Sequence, residues 1–272
     1  MTGMFPFRLG TTSYILPDDI LPNVRYLAGR VQDVELVLFE VDDGRNNLPS
    51  GEVVAELAAL AEAHALTYTV HLPLDLRLGA GGDLGHVSLA KAKAVIERTR
   101  PLNPWAYVLH LDGRELLAAR DSADRARRAA EWQDQAVRAL EVVAGWAGGP
   151  ERLAVENLER YPLDTWTPVL ERMPAARCVD IGHLWLDQQD PVPYLRSALP
   201  RTRVIHLHGV GQRDHQSLAL MAPDSLDRVL AVLLAEAYAG VVTLEIFSQA
   251  DLEGSVAALN ASLGRHGSPG GG

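Results

Sequence analysis

Short apolar runs alternate with longer stretches of helical periodicity along almost the whole chain. The runs fall at Phe7–Thr12, Asp33–Val41, Thr67–Leu72, Trp105–Leu111, Leu153–Asn157, Arg177–Ile181, Arg203–His208 and Val241–Phe247. Most are continuous instead of alternating, which predicts strands covered on both faces, as in a parallel sheet. The stretches between them carry helix signals. Pro17 and two acids open Pro17–Gly29, and a serine cap opens both Ser50–Ala65 and Ser88–Arg100. Arg114–Trp146 is the longest helical stretch and is closed by Gly148–Pro150; Asp164–Met173, Pro191–Leu199, Pro223–Gly240 and Asp251–Leu263 complete the set.

Repeated strand–helix pairs predict an α/β fold with a parallel sheet. Eight pairs in 272 residues predict a single (β/α)8 TIM barrel, a fold of about 250 residues, over residues 1–266. The Gly-rich tail, residues 267–272, has almost nothing to bury and reads as disordered. A doubly wound open sheet is the alternative, but it calls for a Gly-rich fingerprint after the first strand, and GTTSYILP does not supply one.

In a barrel the C-terminal strand ends face the active-site mouth, and this chain places metal-ligand side chains there. His71, His110, Glu156, Asp180, His206 and Glu245 each sit at or just past a predicted strand end. Glu156, Asp180, His206 and Glu245 offer three carboxylates and an imidazole, a set suited to Zn, Mn, Fe or Co. A carboxylate has two oxygens, so Glu156 can bridge to a second ion held by His71 and His110. Two neighbouring ions clamp the oxygens of a phosphoryl centre and lower the pKa of water.

His183, three residues after Asp180, faces the same mouth, and the loop GVGQRDHQSL adds Asp214 and His215 for a third ion. Arg213 alternatively grips a phosphate through its planar fork. Glu40 reads as a substrate ligand or as a partner for an arginine, His208 as a ligand or a supporting donor, and Asn157 as orienting a ligand or water. Glu156, Glu245 and His183 are the catalytic candidates, and Glu40, Asn157, Arg213 and His208 those for substrate. His64, His86 and His266 lie off the strand ends and read as ordinary polar residues, whereas Tyr14, Leu74, Leu76, Trp105 and Trp185 lie near them and either line an apolar mouth or pack.

Composition narrows the field. With 25 Lys+Arg against 35 Asp+Glu the net charge is −10, which repels a phosphate backbone and argues against nucleic acid. Cys178 is the single cysteine and sits inside an apolar run, so it reads as a packed thiol in a reducing compartment. No stretch is long and apolar enough to span a membrane and the N-terminus lacks a secretory pattern, so a cytoplasmic protein is expected. The residues set no oligomeric state.

The order of these ligands resembles the xylose isomerase-like barrel superfamily, which includes endonuclease IV, sugar isomerases and epimerases. In that superfamily the shared metal site takes Glu, Asp, His and Glu from strands 5 to 8, matching Glu156, Asp180, His206 and Glu245. Endonuclease IV adds two histidines, matching His71 and His110, and a third-metal set that begins at the position of His183 and continues with an Asp-x-His motif; here Asp214 and His215 are adjacent instead.

The segments FRLGTTSYILPDDILPNVRYLAG, VELVLFE, YTVHLPLDL, VENLE, DIGHLW and HLHGVGQRDHQSL look like those of the cobamide-remodelling phosphodiesterases. That resemblance implies a cobamide (vitamin B12-type corrinoid) substrate, hydrolysis of its nucleotide-loop phosphodiester to a corrinoid phosphate and a nucleoside, and two or three divalent ions. The alternative is a sugar or sugar-phosphate isomerase or epimerase using one ion, with the two glutamates moving protons beside a carbonyl. A third reading is a non-catalytic metal- or corrinoid-binding protein.

Overall fold

The computed structural model describes residues 5–39, 46–78, 83–111, 113, 116 and 122–267. The apolar runs become eight parallel strands: β1 (Arg8–Thr12), β2 (Asp33–Val37), β3 (Thr67–Leu76), β4 (Tyr107–Leu111), β5 (Leu153–Glu156), β6 (Ala176–Asp180), β7 (Thr202–Leu207) and β8 (Val241–Leu244). They pair in sequence order, and β8 returns to β1 over Arg8↔Val241 to Thr11↔Leu244. The sheet is closed, which excludes the doubly wound alternative and leaves no open edge.

Continuity of the apolar runs follows from burial on both faces. Outward residues such as Leu36, Val70, Leu109, Val155, Val179, Ile205 and Val242 join one core with the surrounding helices. Each such side chain contributes about 1.5–3 kcal/mol on burial. Inward residues form a separate, smaller cluster of Ala106, Val108, Ala154, Cys178 and Val204 against Trp105. Small side chains suit the narrow lumen of an eight-stranded barrel. At its N-terminal end the Trp105 ring lies between Arg8 and Arg203, whose guanidinium carbons are 4.8 and 4.3 Å from the ring centre. Trp105 therefore plugs the floor and does not line the mouth, the packing role of its two readings.

The helices are α1 (Ile20–Leu27), α2 (Gly51–His64), α3 (Val87–Thr99), α4 (Ser122–Ala147), α5 (Thr167–Arg172), α6 (Ile181–Leu186), α7 (Pro191–Ala198), α8 (Pro223–Ala235) and α9 (Gln249–Gly267). Ser50 caps α2 as expected, its hydroxyl accepting from the Val53 N–H at 3.2 Å. At α3 the capping group is the His86 imidazole, which accepts from the Ser88 N–H at 3.1 Å. Ser88 is already inside the helix, and its hydroxyl donates to the Arg77 carbonyl at 2.8 Å. The α4 terminus is the expected glycine stop: Gly148 and Gly149 have φ of 90° and 148°, and both N–H groups reach the Ala144 carbonyl at 3.0 Å.

The sequence pattern did not separate α6, which starts directly at the end of β6 and is capped by Asp180. Glu40, the side chain of Leu74, the stretch 114–115 and 117–121, and residues 268–272 of the tail lie outside the described residues; Gly267 is the last residue of α9. Among the described residues no helix is long and apolar enough to cross a membrane.

Candidate metal centre

Side chains on a strand alternate in direction, so residues two apart share the lumen. One step above the small apolar floor, Val108 is followed by His110, Ala154 by Glu156, Cys178 by Asp180 and Val204 by His206. The same step leads from Thr69 to His71 on β3 and from Thr243 to Glu245 past the end of β8. All six expected ligands therefore reach one rim.

Glu156 lies at its centre, 1% exposed. Its Oε2 is 3.1 Å from His110 Nε2 and 3.4 Å from His71 Nε2. Its Oε1 is 3.3 Å from His206 Nδ1 and 3.7 Å from His183 Nδ1. His206 Nδ1 is also 3.3 Å from Glu245 Oε2 and 3.8 Å from Asp180 Oδ2. Two donor groups result, His71–His110–Glu156 and Glu156–Asp180–His206–Glu245, in each of which the ligand atoms lie within 4.8 Å of one another.

The donor set fits divalent cations. Asp180 Oδ2 and Glu245 Oε2 are buried without a hydrogen bond, an arrangement that costs several kcal/mol unless a cation compensates it. His71 Nδ1 lies 2.9 Å from the Leu72 carbonyl, to which it donates, leaving Nε2 for a ligand. Burial alone would raise Glu156, but the His206 and His110 imidazoles outweigh it and hold the carboxyl well below its usual range. Glu245 is likewise lowered against its burial, mainly by His206. Burial would lower His183, yet Asp180 and Glu156 raise it to about 9. His206 is driven well up, against burial, by the carboxylates of Glu35, Glu245 and Glu156. In the metal-free rim Glu156 and Glu245 are thus ionised and His183 and His206 protonated.

Beside it, His183, His208 and His215 form a third group. Asp214 is not in it: its side chain is 40% exposed and its Oδ2 is 3.8 Å from His215 Nε2. His208 takes the place expected of that acid. Nδ1 accepts the His215 N–H at 3.0 Å, so the ring hydrogen is on Nε2, 3.4 Å from Asp180 Oδ1. His208 is fully buried beside Asp180, the supporting role of its two readings.

Asn157 likewise orients a ligand. Its amide donates to the Asp180 carbonyl and accepts from the Asp180 N–H, both at 2.9 Å, tying β5 to β6. Arg213 is exposed on its loop and donates to the Asp214 carbonyl at 3.1 Å. His64, His86 and His266 stand apart from the rim; His86 caps α3 and His266 bonds the Asp227 carbonyl.

Sequence reasoning missed Glu35. This β2 residue is fully buried, and its Oε2 is 2.9 Å from His206 Nε2. The signal was present: in DVELV two acids alternate with Val34 and Leu36, the only such phase among the runs. Cys178 is buried among lumen residues, and burial pushes its thiol well up, so it stays protonated and packed. Of the apolar candidates, packing claims Leu76 and Trp185. Leu76 is buried in the core and Trp185 packs against it, while Phe39 and Phe247 are exposed, Phe39 6.4 Å from the Tyr14 ring and Phe247 5.6 Å from His215.

The sequence profile of the xylose isomerase-like TIM barrel family matches residues 31–263. Among solved structures, a D-tagatose 3-epimerase-like protein aligns at TM-score 0.73 and 14% identity, covering 95% of this chain and 98% of its own. L-ribulose 3-epimerase aligns at 0.70 and 16%, covering 96% and 97%. Endonuclease IV from Thermus thermophilus aligns at 0.67 and 21%, covering 95% and 99%. At these identities the likeness concerns the fold. A search of curated protein sequences finds no match.

Proposed function

The chain belongs to the xylose isomerase-like TIM barrel family, and from that premise we propose that it is a metal-dependent phosphodiesterase acting on the nucleotide loop of a cobamide. The observation that carries the reading is the second donor group: His71 and His110 face the Oε2 of the same glutamate whose Oε1 faces His206. One ion needs only the four-residue group; the two extra imidazoles give a bridged pair a reason to exist. Divalent ions held there supply Lewis acidity toward a phosphoryl oxygen and lower the pKa of water.

This chain's own groups do the rest. Glu156 bridges the two donor groups, and Asn157 and His208 hold Asp180 in register. Glu245 stays ionised beside His206 and completes the four-residue group. Arg213, exposed on the loop after β7, is available to phosphate oxygens. The charge of −10 favours a small ester over a nucleic acid. The cobamide itself is supported by the likeness of segments such as YTVHLPLDL and HLHGVGQRDHQSL to the remodelling enzymes, and by Phe39 and Phe247 as apolar contacts for a large ring system.

The second reading is a sugar epimerase, and the comparisons support it at least as well. Two of the neighbours above are named as epimerases or epimerase-like. Within the four-residue group Glu156 and Glu245 both approach His206 Nδ1 at 3.3 Å, so two carboxylates share one centre, as proton exchange beside a carbonyl requires.

Incubating the metal-loaded protein with cobalamin and with ketohexoses, each followed by mass spectrometry or chromatography, separates the readings. A corrinoid phosphate is the expected product, and its loss in a folded His110→Ala variant is expected with it. Full hydrolysis by that variant contradicts the two-group reading; sugar epimerisation with no action on cobalamin establishes the second.

A further inference from the structure

Glu35 belongs to neither donor group. It stands on β2, three strands round the closed sheet from β7, and reaches across the lumen to His206. Its side chain is fully buried, and among the described residues its only hydrogen bond is to His206 Nε2, at 2.9 Å; Oε1 has none. A buried carboxylate with one partner and one oxygen unbonded is a cost to the fold. Its presence there calls for a reason beyond packing.

The geometry supplies one. An imidazole that donates its Nε2 hydrogen keeps its lone pair on Nδ1, and His206 Nδ1 faces Glu156 and Glu245 at 3.3 Å and Asp180 at 3.8 Å. A ring flip or the other tautomer would turn a carbon or an N–H toward those carboxylates instead. We propose that Glu35 is a positioning residue that locks the ring of His206 with Nδ1 presented to a divalent cation. A carboxylate behind a metal-binding histidine fixes ring orientation and increases its donor strength. The inference rests on an ion among Glu156, Asp180, His206 and Glu245, as the proposed function does, but not on which reaction follows.

The test compares full-length metal-free wild type with Glu35→Leu, Glu35→Gln and Glu35→Asp. Co2+ affinity is measured by competition with a chelator, the visible spectrum at substoichiometric Co2+, and the melting of the metal-free proteins. Glu35→Leu is expected to bind Co2+ ~10–100-fold more weakly with an altered spectrum, the melting of its metal-free form showing that it still folds. Glu35→Gln keeps an acceptor oxygen and is expected to recover much of the affinity. If the leucine variant does not fold, Glu35→Asp, one methylene too short, carries the same expectation of weaker binding. Wild-type affinity and spectrum in the leucine variant, or a glutamine variant no better than leucine, would overturn the inference. Failure of the wild type itself to bind Co2+ would instead sink the metal reading under the proposed function.

Discussion

Asp33 shows what a single lumen position does to the energetics. Buried on β2, it accepts the Thr67 hydroxyl at 2.6 Å, and burial raises its carboxyl to about 7. A folded-state value above that of the unfolded chain means that the folded form holds the proton more tightly. The stability linked to Asp33 is therefore complete below about pH 4 and is lost as pH rises toward about 7. Asp33→Asn, which keeps an acceptor for Thr67, should gain on wild type over that window, by an amount on the order of a few kcal/mol at pH 8. Melting curves from pH 4 to 8 check this; a difference between the two proteins that does not change with pH contradicts it. At this scale the ligands were legible because histidine and acid side chains kept one phase at six strand ends. Glu35 was not, because its partner is on the far side of the lumen.

Among the elements, the junction of β6 and α6 carries most of the site's precision. Asp180 ends the strand and caps the helix, its Oδ1 accepting the His183 N–H at 2.6 Å, so one residue fixes its own carboxylate and aims the next histidine. Gly182 completes the junction: a Cβ there would sit 2.2 Å from His208 Cε1 and Nε2. Gly182→Ala should displace the His208 ring, cost ~1–3 kcal/mol by overpacking, and weaken metal binding through Asp180. Gly145→Ala on α4, where a Cβ meets nothing within 4 Å, is the control and should be neutral or slightly stabilising. Equal melting temperatures for the two variants would contradict the close-packed junction. Strands and long helices were readable from their periods, yet α6 was not, since six residues running straight from a strand carry too short a pattern.

For the whole molecule, closing the sheet concentrates charge. Three acids and three imidazoles from different strands meet in one small volume, where His206 is driven well up and His183 to about 9 in the absence of metal. Binding of divalent ions must expel those protons. Metal uptake at pH 7 should therefore release protons, visible by calorimetry in buffers of different ionisation enthalpy, and apparent affinity should rise as pH is raised toward about 9. Affinity that does not change over that range would contradict the protonated rim. Chelation should also lower the melting temperature, because a ligand that binds only the folded chain stabilises it by mass action.

Local order left a full trace in the residues: the strand–helix alternation, the covered strands, the serine cap of α2 and the glycine stop of α4 all depend on neighbours a few positions away. The shared phase of His71, His110, Glu156, Asp180, His206 and Glu245 was readable for the same reason, since strand geometry alone sends alternate side chains to one side. Which of those groups meet was decided only by closure of the barrel. Closure set Glu156 between two imidazole sets, put His208 and Asn157 beside Asp180, and brought Glu35 on β2 against His206 on β7, a contact between residues 171 positions apart. Stagger and curvature of eight strands fix such distances jointly, and no short stretch of chain contains them.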